Sequence, residues 1–277
     1  MQHDLLKESG AHAPPTRSDS EDGRAAKPLL LDLKKRTHFE TGRYRILLTN
    51  YGNGLGEIGW SFVPSLRPVK AGKGQSEARD LNEDRAVRRA RSRLRRLILS
   101  TKADHLLTLT YRENVTDFER SCQDFSKFIK RIKDKLPGWT YVAIAENQKR
   151  GAWHWHIAVR GRQDVHLLRA EWRHVIGEGN IDVRPPETGD QNPQLSLISY
   201  LSKYLGKGFQ DGKHELNARR FRASHGIQVP CTIIPLPDTQ RDNASGYAVE
   251  MLKTHIGSVG YIWTAKDFMA GWACSWK

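Results

Sequence analysis

Residues 139–159, WTYVAIAENQKRGAWHWHIAV, carry the clearest fold signal in the chain. Two runs rich in β-branched and aromatic side chains, residues 139–146 and 152–159, stand on either side of the polar segment 147–151. Runs of this length that are separated by a short segment containing glycine are typical of antiparallel strands joined by a turn. The stretch therefore predicts a β-hairpin near the centre of the chain.

The second strand of this hairpin carries two histidines, His154 and His156. Successive side chains of a strand point to opposite faces, so both imidazoles share one face and the neighbouring tryptophans share the other. A plain hairpin pairs Glu146 with Ala152 and puts the carboxylate on the histidine face. We expect the tryptophan face to pack on helices and the histidine face to be exposed. Two imidazoles and a carboxylate then form a donor set typical of a catalytic metal site, the alternative being ordinary surface histidines.

The segments around the hairpin predict an α+β fold. Strands are expected at 106–111 and 181–184, and helices at 118–136, 164–175 and 195–205. The first six elements then follow the order β-α-β-β-α-β, the split βαβ pattern of an antiparallel sheet with helices on one face. We expect a disordered leader over residues 1–40, a main domain over 41–235 and an irregular C-terminal extension of unknown role over 236–277.

Charge and composition narrow the class of partner. The chain has 277 residues, and 45 Lys and Arg against 31 Asp and Glu give a formal net charge of +14. Such a balance favours a polyanionic partner, nucleic acid before a membrane surface. No apolar run approaches the roughly 18 residues of a spanning helix, and the N-terminus has no apolar signal-peptide core, so we expect a cytoplasmic protein. Its three scattered cysteines indicate reduced thiols rather than a zinc cage.

Over half of the excess positive charge lies in residues 67–102. Within this segment an apolar stripe at helical spacing alternates with arginines over residues 85–97, which predicts an amphipathic helix with an arginine face. Arginine forms bidentate contacts with phosphate, so four arginines are expected to bind DNA. They are Arg88, Arg89, Arg95 and Arg96. The alternative is a solvated surface helix.

A second chemical pattern lies at residues 200–207, where Tyr200, Lys203, Tyr204 and Lys207 follow the i, i+3, i+4, i+7 spacing of one helical stripe. A leucine stripe, rotated away from them, is expected to face the core. Tyrosine is a poor nucleophile at neutral pH, and nearby cations lower its pKa by favouring the phenolate. The alternative is an ordinary amphipathic helix whose tyrosines have no chemical role.

Three pieces in this order resemble motifs one, two and three of the HUH endonucleases. They are Leu107–Tyr111, Glu146 with His-Trp-His at 154–156, and the doubled Tyr-x-x-Lys of 200–207. The resemblance covers about residues 105–208 and is closest to the two-tyrosine rolling-circle replication initiators of single-stranded DNA phages and some plasmids. It implies a ferredoxin-like nicking domain, a divalent ion, Mg²⁺ or Mn²⁺, and a covalent 5′-phosphotyrosine link to DNA.

The resemblance also implies roles for particular residues. His154, His156 and Glu146 would hold the metal ion, and Tyr200 or Tyr204, assisted by Lys203 and Lys207, would attack the scissile phosphate. Thr108 and Thr110 share one face of the motif-one strand, so we expect them to contact the DNA backbone.

The expected substrate is single-stranded or hairpin origin DNA. The sequence contains no phosphate-binding loop of the Gly-x-x-x-x-Gly-Lys-Ser/Thr type, so a host helicase and polymerase would open and copy the strands. Two alternatives stay open. One is an HUH transposase or mobilisation relaxase, and the other, from a different class, is a non-catalytic basic protein that binds DNA or RNA.

Overall fold

The structure, a computed structural model, describes residues 42–65, 79–210 and 221–277, with the backbone alone for 79–84 and 206–210. The leader predicted for residues 1–40 lies outside the described residues. Residues 42–277 belong to one compact unit. In the described part of the chain no helix is both long and apolar enough to cross a membrane, and Cys122, Cys231 and Cys274 are free thiols.

The predicted hairpin consists of β4 (Tyr141–Asn147) and β5 (Trp153–Val159). Its register differs from the prediction by two residues, because Glu146 pairs with His154 instead of Ala152. The turn itself is closed by a hydrogen bond from the Gln148 N–H to the Ala152 carbonyl, 2.9 Å long. A shift by an even number of residues keeps every side chain on its face, so Glu146 still lies on the histidine face.

The hairpin forms the middle of a five-stranded antiparallel sheet, called the central sheet below, with strand order β6-β3-β5-β4-β7. Its other strands are β3 (His105–Tyr111), β6 (Gly179–Arg184) and β7 (Arg222–Ala223). The connecting helices are α2 (Phe118–Lys135) and α3 (Val165–Ile176). In chain order the first four strands lie 4-1-3-2 across the sheet, which confirms the predicted α+β fold and is compatible with the ferredoxin-like arrangement.

Helices cover both faces of the central sheet. On one face α2 and α3 bury the predicted tryptophan face, with Trp155 stacked on Phe125 at 4.0 Å between ring centroids. On the other face lie α1 (Arg79–Thr101) and α4 (Pro193–Gln210), whose predicted apolar stripes are buried there. The buried side chains of these two stripes include Leu94, Leu97, Leu197, Leu201 and Leu205. The histidine face is therefore enclosed by a second helical layer rather than exposed.

A second antiparallel sheet, called the terminal sheet below, has strand order β8-β1-β2-β10-β9. It combines strands from the two ends of the described unit: β1 (Gly42–Gly52), β2 (Leu55–Pro64), β8 (Cys231–Ile234), β9 (Tyr261–Thr264) and β10 (Ala270–Cys274). A 3₁₀ helix (Asp238–Asn243) leads into α5 (Ala244–Ile256), which packs on one face of this sheet. The C-terminal residues predicted to be irregular are thus regular, because their strands are too short to show periodicity and are completed by pairing with β1 and β2.

Candidate functional site

The face of the central sheet that α1 and α4 cover changes from apolar to polar along its strands. At one end the side chains of Leu106, Val142 and Ala158 join the core beneath the leucines of α4. At the other end polar residues share this face, as the strand register requires. They are Thr108, Thr110, Glu146, His154, His156, Asn180 and Asp182. The polar end is the candidate functional site.

His156 lies at the centre of the candidate functional site and is 5% exposed. Its Nε2 atom is 2.7 Å from Oε2 of Glu146, and its Nδ1 atom is 3.3 Å from Oγ1 of Thr108. Both ring nitrogens therefore have a partner, one on each neighbouring strand. The predicted meeting of Glu146 with the histidine pair is present in the structure, while Thr108, predicted to contact DNA, contacts the imidazole.

His154 has one partnered and one unpartnered nitrogen. Its Nδ1 atom is 3.1 Å from Nε2 of Gln148 in the hairpin turn. Its Nε2 atom is buried and has no hydrogen-bond partner among the described residues. A buried polar atom without a partner is costly and marks a position where a ligand atom would be favourable.

The protonation of the two histidines follows from their surroundings. Burial lowers the pKa of His154, and the neighbouring His156 and Arg150 lower it further. Burial also lowers the pKa of His156, although the hydrogen bond to Glu146 opposes this shift. Both imidazoles are thus held neutral at physiological pH, which is the form that binds metal ions.

The donor set at this position fits a divalent cation in its chemistry. Two neutral imidazoles and a carboxylate match the ligand types of Mn²⁺ and Mg²⁺ sites that keep open positions. No trio of His, Cys, Asp and Glu in the described ranges is already arranged as a metal cage. The reason is visible at Glu146, whose carboxylate is bound to His156 Nε2, so metal binding would replace that hydrogen bond.

Helix α4 places both tyrosines against His156. The ring of Tyr204 stacks on the imidazole with 4.7 Å between centroids and 15° between planes. The ring of Tyr200 meets the same imidazole edge-on at 5.6 Å, and the two tyrosine rings are 5.2 Å apart. The leucine stripe predicted to face the core is buried, which turns the tyrosine stripe toward the polar end of the sheet. The sequence-predicted tyrosines and histidines therefore form one cluster.

The expectation that cations lower the pKa of these tyrosines is wrong for Tyr204. Burial raises the pKa of Tyr204 above its ordinary value, and a hydrogen bond with Tyr200 and the charge of Glu146 raise it further. The opposing cation is Arg184 of β6 rather than a lysine of α4. Lys203 is exposed, and the side chain of Lys207 lies outside the described residues.

The remaining residues predicted to bind DNA divide into two groups. Arg88 and Arg89 are exposed on α1. Arg95 and Arg96 instead bind the buried carboxylate of Glu57, each with a nitrogen 2.6 Å from an oxygen. Thr110 donates a hydrogen bond of 3.1 Å to the backbone carbonyl of Asn180 and stays at the border of the candidate functional site.

Sequence reasoning missed three polar residues around the candidate functional site: Gln148, Asp182 and Arg184. Arg184 lies in β6, forms an ion pair of 2.9 Å with Asp182 and is close enough to both tyrosines to affect their ionisation. Strand alternation over the predicted strand at 181–184 already puts Asp182 and Arg184 on one face. What the sequence lacked was the knowledge that β6 lies beside β3.

Comparison with known proteins supplies a family for the part of the chain that builds the candidate functional site. Residues 104–209 match the family model of the replication-associated protein ORF2. This range begins just before β3 and ends within α4, so it includes all of the histidine and tyrosine residues described above. No curated protein and no solved structure matches the chain.

Proposed function

We propose that this protein nicks and joins single-stranded DNA to begin and end rolling-circle replication, as a two-tyrosine HUH endonuclease. The observation that carries the proposal is the packing of Tyr200 and Tyr204, one helical turn apart, around His156. The match of residues 104–209 to a replication-associated family supports a role in replication. The net charge of +14 supports a DNA substrate.

The metal ion in this proposal is Mg²⁺ or Mn²⁺, held by His154, His156 and Glu146. When bound, such an ion polarises the scissile phosphate and stabilises the charge that develops on it in the transition state. The unpartnered Nε2 atom of His154 supports this assignment. Thr108 and Gln148 fix the orientation of the two imidazoles through the opposite ring nitrogens.

The proposed reaction uses the phenol oxygen of Tyr200 or Tyr204 as nucleophile. As the bond from this oxygen to phosphorus forms, the bond to the 3′ oxygen breaks, the phenol loses its proton, and the departing 3′ oxygen gains one. Because the pKa of Tyr204 is raised, its phenol is neutral before attack and must lose the proton during the step. The 5′-phosphotyrosine keeps the phosphodiester energy, so the reverse attack rejoins a strand without ATP.

Two tyrosines at one site suit the two cleavages that a replication round requires. The first cut releases the primer end, and the second cut comes one genome later, while the first 5′ end is still covalently held. Side chains four residues apart on a helix emerge about 6 Å apart, so both can reach one phosphate position. Lys203, Lys207 and Arg184 would bind neighbouring phosphates. A host helicase and polymerase, in the cytoplasm, would do the remaining work.

The test is formation of a covalent adduct with origin DNA. Purified protein is mixed with Mn²⁺ and single-stranded origin oligonucleotides labelled on the 3′ side of the nick, and denaturing gels are read for a labelled protein band. His154→Ala is expected to lose the band. His166→Ala, which changes an exposed histidine of α3, is the matched control and is expected to keep it.

The same experiment separates the alternatives. A non-catalytic DNA- or RNA-binding protein would bind the oligonucleotide but give no labelled band with any variant. A transposase or relaxase would form the band on the ends of its own element and not on the origin of a small circular replicon.

A further inference from the structure

We propose that the open face of the terminal sheet is a second binding surface for single-stranded DNA, separate from the candidate functional site. The open face is defined as the face opposite α5. It is built mainly from Trp263, Trp272 and Tyr261 of β9 and β10 and from Arg43 and Arg45 of β1. The choice of DNA over RNA rests on the proposed function, whereas the chemistry of stacking and phosphate contact rests on this face alone.

One row of side chains crosses the open face from edge to edge. The strand register aligns five residues: Ile233, Leu47, Gly59, Trp272 and Trp263. Trp263 at one edge is 50% exposed. At the centre of the row, a Cβ atom on Gly59 would meet nothing nearer than a backbone oxygen at 3.8 Å, so the surface there is flat and accessible. The row offers a flat platform that ends on an exposed indole.

The aromatic side chains at this edge are arranged for stacking with further rings. Tyr261 lies two residues before Trp263, on the same face of β9, and is 51% exposed. Its ring is 6.0 Å from that of Trp272, which is 6.1 Å from that of Trp276. A folded protein rarely leaves large aromatic side chains exposed in a group unless they contact a partner. Stacking of bases on such rings tolerates any sequence, because every base has a π-face.

The charge on the open face is positive. Arg43 and Arg45 are exposed and share the face of Leu47. The guanidinium of Arg95 lies 4.3 Å from the centroid of the Trp272 ring, at the border with α1. The acidic side chain that strand alternation puts on the face is Glu57, which is 1% exposed and neutralised by arginines of α1. Phosphates would therefore meet guanidinium groups without nearby carboxylate repulsion.

The open face also continues toward the arginine face of α1. Arg89, Arg93 and Arg96 line a cleft whose other wall includes Val229 and Cys231. Cys231 lies two residues before Ile233 on the edge strand β8, so the cleft begins where the row ends. A strand of nucleic acid that stacks on the open face can thus pass into a groove lined by arginine. This combination of aromatic platform and basic groove is how proteins bind single strands without reading their sequence.

A single strand fits this face better than the other possible occupants. Bases of a duplex are already stacked on each other and cannot stack on Trp263. A second copy of the chain or another protein would favour a face poor in charge, since protein interfaces lose charged residues from their core, and two exposed arginines stand on this one.

The test is binding of a thirty-nucleotide oligothymidylate, measured by fluorescence anisotropy without divalent ions. The full chain carries Tyr200→Phe and Tyr204→Phe as background, so that no adduct can form. Adding Trp263→Leu is expected to weaken binding roughly 5- to 150-fold, the range for loss of one or two stacked bases. Trp263→Phe keeps a π-face and is expected to restore most of the affinity. Ile233→Ala, at the opposite edge of the row, is the matched control for loss of apolar area.

The arginines have their own readout. Arg43→Gln with Arg45→Gln is expected to flatten the dependence of log K on log salt by about 1.4, at about 0.7 per phosphate contact on a single strand. Wild-type affinity in Trp263→Leu would overturn the proposal. So would equal losses from Trp263→Leu and Ile233→Ala, or light scattering that shows self-association abolished by Trp263→Leu. Because the assay needs no cleavage, its failure leaves adduct formation intact, and failure of adduct formation leaves this result intact.

Discussion

The phenol ring of Tyr204 and the imidazole of His156 lie face to face, with 4.7 Å between centroids and 15° between planes. The contact joins a candidate nucleophile on α4 to a candidate metal ligand on β5, so each holds the other in place. Removal of the Tyr204 hydroxyl alone leaves this packing unchanged. Removal of the whole ring would open a cavity beside His156. Tyrosine-to-phenylalanine changes therefore separate chemistry from packing.

The two tyrosines are expected to act in turn. Tyr200→Phe and Tyr204→Phe should each retain some single cleavage of an oligonucleotide, because the other phenol is still beside His156. Each should fail in the coupled cut-and-join that releases a circle, and the double variant should form no adduct. The measurement is circle release from a substrate with two origin sites. Full circle release by one single variant would show that its missing hydroxyl has no chemical role.

The histidines are expected to be essential for cleavage but not for DNA binding. His154→Ala removes the unpartnered Nε2 atom and should abolish nicking in Mn²⁺ with nearly unchanged affinity for oligonucleotide. His156→Ala should do the same, with some loss of stability because the residue is 5% exposed. Glu146→Ala should cost less, since both imidazoles remain. Nicking at the wild-type rate by either histidine variant would exclude the metal assignment.

The arginines of α1 should separate into two groups by experiment. Arg88→Gln with Arg89→Gln is expected to weaken DNA binding and to flatten its salt dependence by about 0.7 per lost contact, with little change in stability. Arg95→Gln with Arg96→Gln is expected to destabilise the protein, because both side chains bind Glu57. Urea unfolding and salt titration of both double variants make the comparison. An unchanged salt slope in the first pair would mean that these arginines are solvated surface groups.

Glu57 is expected to stabilise the fold above acidic pH. Burial alone would raise its pKa, but Arg95 and Arg96 outweigh burial and hold the pKa below its ordinary value. Such a depressed pKa contributes stability above the unfolded-state value of about 4.3, and the contribution is lost as pH falls through the folded-state pKa. Glu57→Gln should lower the free energy of unfolding by about 1–3 kcal/mol at pH 7. The difference from wild type should shrink below about pH 4; a constant difference would contradict the ion-pair explanation.

Much of the central sheet could be predicted because local patterns decide it. The turn at 147–151, the alternation through His154 and His156 and the helical spacing of Tyr200 and Tyr204 each depend on neighbours in the chain. The burial of the histidine face could not be predicted in this way. It depends on α4 returning across the sheet, a contact between residues far apart in sequence.

The pairing of Arg95 and Arg96 shows the same limit. A run of arginines on a helix predicts a basic surface, but strand β2 places Glu57 beneath two of them, 38 and 39 residues away in the chain. The terminal sheet was missed for a related reason, since β9 and β10 have four and five residues and gain their order from pairing with β2.

The most direct test of the account is to identify the residue that carries the DNA. Wild-type protein is reacted with labelled origin DNA and Mn²⁺, digested with nuclease and protease, and the nucleotide-bearing peptide is sequenced by mass spectrometry. The account predicts a 5′-phosphate ester on Tyr200 or Tyr204, with the modification moving to the remaining tyrosine in each single phenylalanine variant. A phosphate ester on any other residue, or strand cleavage without a covalent peptide, would contradict it.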